Sequence, residues 1–144
     1  MMKIGVIMGG ISSEREISLK SGEQVLLNLN RDKYEEIIPI IIDSKSEVVE
    51  KIKGIDFAFL ALHGQFGEDG TIQGLLETIG IPYSGCRVLP SAICMNKGLT
   101  KRIVKTVGVD TAKWLIVKSV EEIDYKKIKE LQYPVFIKPN KGGS

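Results

Sequence analysis

The stretch KIGVIMGG, residues 3–10, decides the fold, because it is an apolar run that ends in two glycines. A short apolar run bounded by glycine is typical of a buried strand in a parallel sheet. A helix is predicted next, since Ser13 and Glu16 have the spacing of a capping box. Apolar and small residues then recur every three or four positions and indicate the helix face that lies on the sheet: Ile17, Ser21, Gly22, Val25 and Leu29.

Strands and helices continue to alternate along the chain. Residues 34–42 predict a second strand, in which Pro39 indicates an edge position or an irregularity because proline has no N–H to donate. The next segments predict a helix at 46–53, a strand at 57–62 and a helix at 71–79 that stops at Gly80. This order predicts an α/β fold, a Rossmann-like open sheet of mostly parallel strands.

The pattern changes near residue 95, where we expect a second domain to begin. The segments beyond it predict an amphipathic helix at 97–107, a strand at 113–117, a helix at 120–131 and a strand at 134–138. The chain is therefore predicted to contain an α/β domain at 1–95 and the first part of another domain at 96–144.

Composition narrows the class of protein. The 144 residues are 43% hydrophobic and 26% charged with a net charge of +2, as in ordinary soluble globular proteins. No apolar run approaches the roughly 18 residues of a membrane span. The lysines form no basic stripe with aromatic residues, so nucleic acid is not a predicted partner. Cys86 and Cys94 lack metal-binding or redox spacing, and we expect free, buried thiols in a reducing cytoplasm.

Two polar loops follow predicted strands, at the sheet edge where open α/β sheets bind ligands. In the first loop, Glu14 either interacts with the dipole of the following helix or binds a substrate ammonium. In the second, His63 is the only histidine of the chain and has either a structural or a functional role. Glu68 and Asp69 either cap the next helix, which we favour, or bind a hard metal ion.

A third loop, KPNKGGS at 138–144, follows the last predicted strand. A lysine before a glycine-rich loop suits phosphate binding, through one positive charge and exposed amides, although a surface hairpin fits equally well. The loop lacks the spacing of a Walker A motif. Lys97, taken alone, is one more lysine at the start of a helix.

Together these stretches resemble the D-alanine–D-alanine ligases of the ATP-grasp superfamily. The segment HGQFGEDGTIQG, residues 63–74, matches the N-terminal signature of that family, and residues 9–19 match its first strand–helix junction. Residues 95–97 and 137–139 resemble the beginning of its ATP-binding region. The resemblance covers the whole chain and implies that residues 96–144 are the first part of an α+β ATP-grasp subdomain.

The resemblance implies ATP-dependent joining of two D-alanines into the dipeptide used for peptidoglycan, through an acyl phosphate on the first. It implies that Glu14 holds the first ammonium, that His63 lies near the first carboxylate, and that Ser144 hydrogen-bonds with the glutamate. Lys97 and Lys138 correspond to lysines that hold ATP phosphates. Mg²⁺ (or Mn²⁺) is an implied cofactor whose ligands would lie downstream of Ser144, so this chain is expected to contribute no metal ligand.

The resemblance also implies that further ATP-grasp elements lie downstream. We therefore expect residues 1–144 to be an N-terminal fragment that is inactive alone, cytoplasmic, and dimeric through its first domain. A D-alanine–D-lactate or D-alanine–D-serine ligase stays open, because loops absent here set the choice of second substrate. The alternative from another class is a non-catalytic α/β module for dimerisation or ligand binding.

Overall fold

A computed structural model describes residues 2–142. Three parallel strands form its sheet: β1 at Lys3–Gly9, β2 at Glu36–Ile42 and β3 at Phe57–Leu60. Their spatial order is β2-β1-β3, so the first strand lies in the centre. Pro39 lies in the edge strand β2, opposite Val6, as its missing N–H predicts. The predicted α/β class with a parallel sheet is confirmed.

Helices cover both faces of the sheet: α1 at Arg15–Asn28, α2 at Val48–Lys51 and α3 at Thr71–Ile79. On one face, Val6 of β1 packs with Leu26 of α1. On the other face, Ile7 packs with Val48 of α2 and Leu76 of α3. Because neighbouring residues of β1 point to opposite faces and both are buried, the strand is encoded by an unbroken apolar run. None of the helices within residues 2–142 is long and apolar enough to cross a membrane.

Small residues allow α1 to lie close to the sheet. A β-carbon added at Gly22 would lie 2.6 Å from Sδ of Met8, closer than real β-carbons approach. Ser18 is fully buried. Its hydroxyl accepts a hydrogen bond from the N–H of Gly9 at 2.9 Å and donates one to the C=O of Ala61 at 2.7 Å. These contacts fix α1 against the carboxyl ends of β1 and β3.

Two predictions for α1 are wrong. Ile17 is 53% exposed, because the neighbouring serine takes the position that faces the sheet. The capping box of Ser13 and Glu16 does not form, since the helix begins directly after Glu14 and has no side-chain cap. The hydroxyl of Ser12 holds this turn instead, by accepting a hydrogen bond from the N–H of Glu14 at 3.1 Å.

The segment after α3 contains a helix that the sequence did not predict. Tyr83 first forms one parallel bridge with Ala58, on the side of β3 away from β1. Helix α4 then spans Val88–Met95 and carries Pro90 in its first turn, where no N–H is needed for helical hydrogen bonds. Helix α5 spans Lys97–Thr106, one residue shorter than predicted.

Both cysteines are free, as predicted, but the expectation that they are buried is wrong. Cys86 and Cys94 are both exposed. Helix α4 lies at the surface, where Ser91 is its one buried residue, and the helix therefore offers Cys94 no core to be buried in.

The strands predicted at 113–117 and 134–138 are not formed in the described chain. Helix α6, at Tyr125–Glu130, is shorter than the predicted helix, and a 3₁₀ turn precedes it. Phe136 and Ile137 are 88% and 97% exposed. A strand needs a neighbour that accepts and donates its hydrogen bonds, and neither segment has one here.

The beginning of the segment in which the 113–117 strand was predicted is held against α5 by side chains. Trp114, the only tryptophan of the chain, lies under two ammonium groups of that helix. Nζ of Lys101 is 5.3 Å and Nζ of Lys105 is 5.6 Å from the ring centre, within cation–π range. Lys101 also donates to the C=O of Ala112 at 2.8 Å. The domain boundary near residue 95 stays a prediction.

Candidate functional site

Two of the polar loops meet at the carboxyl ends of β1 and β3. The hydroxyl of Ser12, in the loop after β1, donates to the C=O of His63, in the loop after β3, at 2.8 Å. The same hydroxyl accepts from the N–H of Glu14. One serine side chain therefore brings Glu14 and His63, the two catalytic residues predicted from this region, into one site.

Gly64 completes the contact between the two loops. A β-carbon at this position would lie 2.5 Å from Oε2 of Glu14 and 3.0 Å from Oγ of Ser12. Its φ of +69° also lies in the left-handed region that favours glycine. The carboxylate of Glu14 thus lies directly against the backbone of the histidine loop, and a larger residue at Gly64 would push it aside.

The ring of His63 is held on both edges. Oγ of Ser21, on α1, lies 3.0 Å from Nε2, and Oε1 of Glu68 lies 4.0 Å from Nδ1. The side chain of His63 is one-third exposed, at 33%. Sequence reasoning identified Ser21 only as a small residue on the sheet-facing side of the helix. Its contact with His63 depends on how closely α1 approaches β3, which the sequence alone does not give.

Glu68 and Asp69 shape the histidine loop. Oε2 of Glu68 accepts from the N–H of Gly64 at 2.6 Å, so this residue closes the loop and does not cap α3. Asp69 accepts from the N–H of Phe66 at 2.9 Å and of Thr71, the first residue of α3, at 3.0 Å. The capping alternative is therefore confirmed for Asp69 alone.

The carboxyl of Asp69 is electrostatically tuned by these contacts. Partial burial is the largest single influence and opposes ionisation, but hydrogen bonds from Thr71 and Phe66 together hold the pKa below its usual 3.8. Within residues 2–142, no three His, Cys, Asp or Glu side chains are grouped so that they could hold a metal ion.

The two predicted ATP-binding lysines lie near the third loop. Lys97 begins α5, and its ammonium donates to the C=O of Gly142 at 2.8 Å. Asn140 accepts from the N–H of Gly98 at 2.8 Å through its side chain. Its backbone C=O accepts from the N–H of Lys97 at 3.0 Å. Lys138 is exposed on the same loop. The contacts thus join the start of α5 to residues 140–142.

A lysine in the first turn destabilises an isolated helix, because its charge lies at the positive, N-terminal end of the helix dipole. The first turn of α5 contains no acidic residue that would offset this charge. The N–H groups of this turn are already bonded to Asn140 and Asn96, so the positive charge of Lys97 is the feature that suits an anion here. Ser144, the remaining predicted catalytic residue, lies outside the described residues.

Comparison with known proteins identifies the family of the chain. The family model described as D-ala D-ala ligase N-terminus matches residues 3–51 and 43–86. The chain is 64% identical to a D-alanine–D-alanine ligase from Clostridium perfringens, covering 99% of this chain and 47% of the relative.

Solved structures give the same result. The ATP complex of D-alanine–D-alanine ligase from Bacillus anthracis superposes with a TM-score of 0.90 at 47% identity, over 99% of this chain and 48% of that one. The VanG D-Ala:D-Ser ligase from Enterococcus faecalis superposes with a TM-score of 0.76 at 34% identity. The match covers 99% of this chain and 53% of that one. The chain spans about half the length of the relatives it matches. The family model matches more than half of this chain, and the chain therefore belongs to the D-alanine–D-alanine ligase family.

Proposed function

We propose that this chain supplies the first-substrate side of an ATP-dependent ligase that joins two D-alanines for peptidoglycan precursors. The observation that carries the proposal is the contact between Glu14 and the histidine loop, made through Ser12 and Gly64. The site lies at the carboxyl ends of two parallel strands, where α/β sheets bind small ligands. The membership of the family and the 64% identity to a ligase support the same activity.

Glu14 and His63 suit the two charges of an amino acid. The carboxylate of Glu14 would accept charge-assisted hydrogen bonds from the ammonium of the first D-alanine. His63 would donate an N–H to its carboxylate, which orients the group that is to be activated. The proposal also assigns Ser144 a hydrogen bond to Glu14, as the family resemblance implies.

Lys97 and Lys138 are the proposed ATP-binding residues of this chain. Each would neutralise negative charge on phosphate oxygens. The bond from Lys97 to the C=O of Gly142 holds its ammonium beside the glycine-rich loop. Within residues 2–142 no three His, Cys, Asp or Glu side chains are grouped to hold a metal ion, and we propose that the ligands of Mg²⁺ come from the half of the ligase that this chain does not cover.

The choice of second substrate is a separate question. The likeness to VanG D-Ala:D-Ser ligase extends over 99% of this chain, although that ligase is named for a different second substrate. This favours a shared first-substrate half and keeps a D-alanine–D-serine ligase as the second candidate. D-alanine as second substrate has the stronger support, because the relative that is 64% identical is named for it.

We further propose that the chain dimerises through its first domain and that the enzyme is cytoplasmic, as the family resemblance implies. Sedimentation of residues 1–144 checks the dimer, and a single monomeric species would contradict it.

A chimera tests the function directly. It joins residues 1–144 to the second half of the Clostridium perfringens ligase, the part that lies beyond the 47% matched here. We expect phosphate release from ATP that requires D-alanine in the chimera, and none from residues 1–144 alone. A folded chimera that binds ATP but releases no phosphate with D-alanine would favour the non-catalytic module. Release by residues 1–144 alone would contradict the fragment hypothesis.

Matched variants of the chimera test the role of Glu14. Glu14→Gln should raise the KM for the first D-alanine about 10- to 100-fold, because the ammonium loses its oppositely charged acceptor and keeps only a neutral amide oxygen, and should spare the KM for ATP. The control is Glu16→Gln, since Glu16 lies on the same helix but its side chain is exposed and pairs with Arg15 at 3.6 Å. Equal effects of the two variants would remove Glu14 from the site.

A further inference from the structure

We propose that Ser21 is a positioning residue that, together with Glu68, fixes the orientation and tautomer of His63. The geometry assigns the ring proton to Nδ1 and makes Nε2 the acceptor of a hydrogen bond from the Ser21 hydroxyl. The structural part of the proposal stands on the contacts of these residues. Only its kinetic consequence rests on the function proposed above.

Ser21 has little freedom to move away from the ring. It lies one turn after Ser18, whose buried hydroxyl bonds to the ends of both β1 and β3. It also directly precedes Gly22, where a β-carbon would collide with Met8 of the sheet. The helix is therefore fixed on both sides of Ser21, and the 3.0 Å distance from Oγ to Nε2 of His63 follows from this packing.

Glu68 constrains the other edge of the ring. Its Oε2 is held by the N–H of Gly64 at 2.6 Å, so the carboxylate cannot turn freely. Oε1 lies 4.0 Å from Nδ1 of His63, beyond hydrogen-bond distance but within electrostatic reach. A carboxylate oxygen only accepts hydrogen bonds. The carboxylate of Glu68 therefore favours a proton on Nδ1, the nearer ring nitrogen, and disfavours a lone pair on that atom.

The two edges together select one neutral tautomer. With the proton on Nδ1, the lone pair on Nε2 accepts from the Ser21 hydroxyl, and both contacts are favourable. With the proton on Nε2, the Nδ1 lone pair would face a carboxylate. The N–H that His63 offers to an incoming carboxylate is then the one on Nδ1, because the half-buried Ser21 already occupies Nε2.

His63 is the only histidine of the chain, so its ring nitrogens can be observed without assignment. Long-range ¹H–¹⁵N spectra of residues 1–144 would be recorded at pH 8.5, about two units above the pKa of a model imidazole. We expect a protonated Nδ1 in the wild type and in Ser21→Thr, which keeps the hydroxyl. Ser21→Ala should shift the population towards a protonated Nε2. Ser13→Ala, in the exposed loop before the helix, is the control and should leave the spectrum unchanged.

A wild-type spectrum with the proton on Nε2 would overturn the proposal, and so would a Ser21→Ala spectrum identical to the wild type in a protein whose amide spectrum reports a native fold. In the chimera, Ser21→Ala should raise the KM for the first D-alanine about three- to tenfold, with the KM for ATP unchanged and rescue by Ser21→Thr. If the spectra change as expected and the chimera lacks ligase activity, the positioning stands and the proposed function fails.

Discussion

Replacing Gly64 with alanine adds one methyl group between the two loops of the candidate site. The backbone there has a φ of +69°, and an alanine in the left-handed region costs about 1–2 kcal/mol. The new methyl would lie 2.5 Å from Oε2 of Glu14, which is the far end of a flexible side chain and can move aside. Ser12 needs to shift by only a few tenths of an ångström. The free energy of unfolding should therefore fall by about 1–2 kcal/mol, or about 2–8 °C in Tm for a chain of this size.

Gly80→Ala is the matched control for this change. Gly80 has a φ of +78°, and nothing lies within 4 Å of the β-carbon position, so it carries the backbone cost without crowding. We expect urea unfolding to give the two variants of residues 1–144 the same stability within about 0.5–1 kcal/mol. In the chimera, only Gly64→Ala should raise the KM for D-alanine, by at least about tenfold.

Two results would refute this reasoning. A stability loss above about 4 kcal/mol for Gly64→Ala would mean that the carboxylate of Glu14 does not yield and that the backbone is forced apart. An unchanged KM for D-alanine with a native-like fold would mean that the contact between Gly64 and Glu14 is not part of the substrate site.

Three further predictions concern stability. Ser18→Ala leaves a buried N–H and a buried C=O unpaired at the strand ends, so the free energy of unfolding in urea should fall by about 2–4 kcal/mol. The control, Ser13→Ala in the exposed loop, should lower it by less than about 0.5 kcal/mol. The folded-state pKa of Asp69 lies below 3.8, so its ionised form stabilises the protein above that pH. The stability difference between wild type and Asp69→Asn should be constant from pH 7 to about 5 and should shrink as the pH falls through the lower folded-state pKa. Ile137→Ser should change the stability of residues 1–144 by less than about 0.5 kcal/mol, because this side chain is 97% exposed, but should lower the Tm of the chimera if the longer protein buries it.

The sheet was predictable because local patterns encode it. The apolar run 3–8 and the glycines after it predicted β1 to within one residue, and Pro39 predicted the edge strand. The strands at 113–117 and 134–138 failed for the opposite reason. Their apolar sequences favour strands, but strand formation depends on a partner elsewhere, and exposed Ile137 has none in the described chain.

The candidate site was predictable in outline and not in detail. Glu14 and His63 both follow strands of one parallel sheet, so their meeting at one edge could be expected. The contacts that fix them could not. Ser12 serves both loops at once, and Ser21 reaches His63 only because Gly22 lets α1 approach the sheet so closely.

The position of Trp114 against α5 makes the two parts of the chain separately observable by spectroscopy. The sheet and its helices contain no tryptophan, so tryptophan fluorescence, excited selectively over tyrosine, reports only the environment beyond residue 95. The NMR signals of the His63 ring report on the part of the chain that contains the sheet. Coincident denaturation curves from the two probes would indicate one cooperative unit, whereas an earlier fluorescence transition would indicate that residues 96–142 unfold on their own.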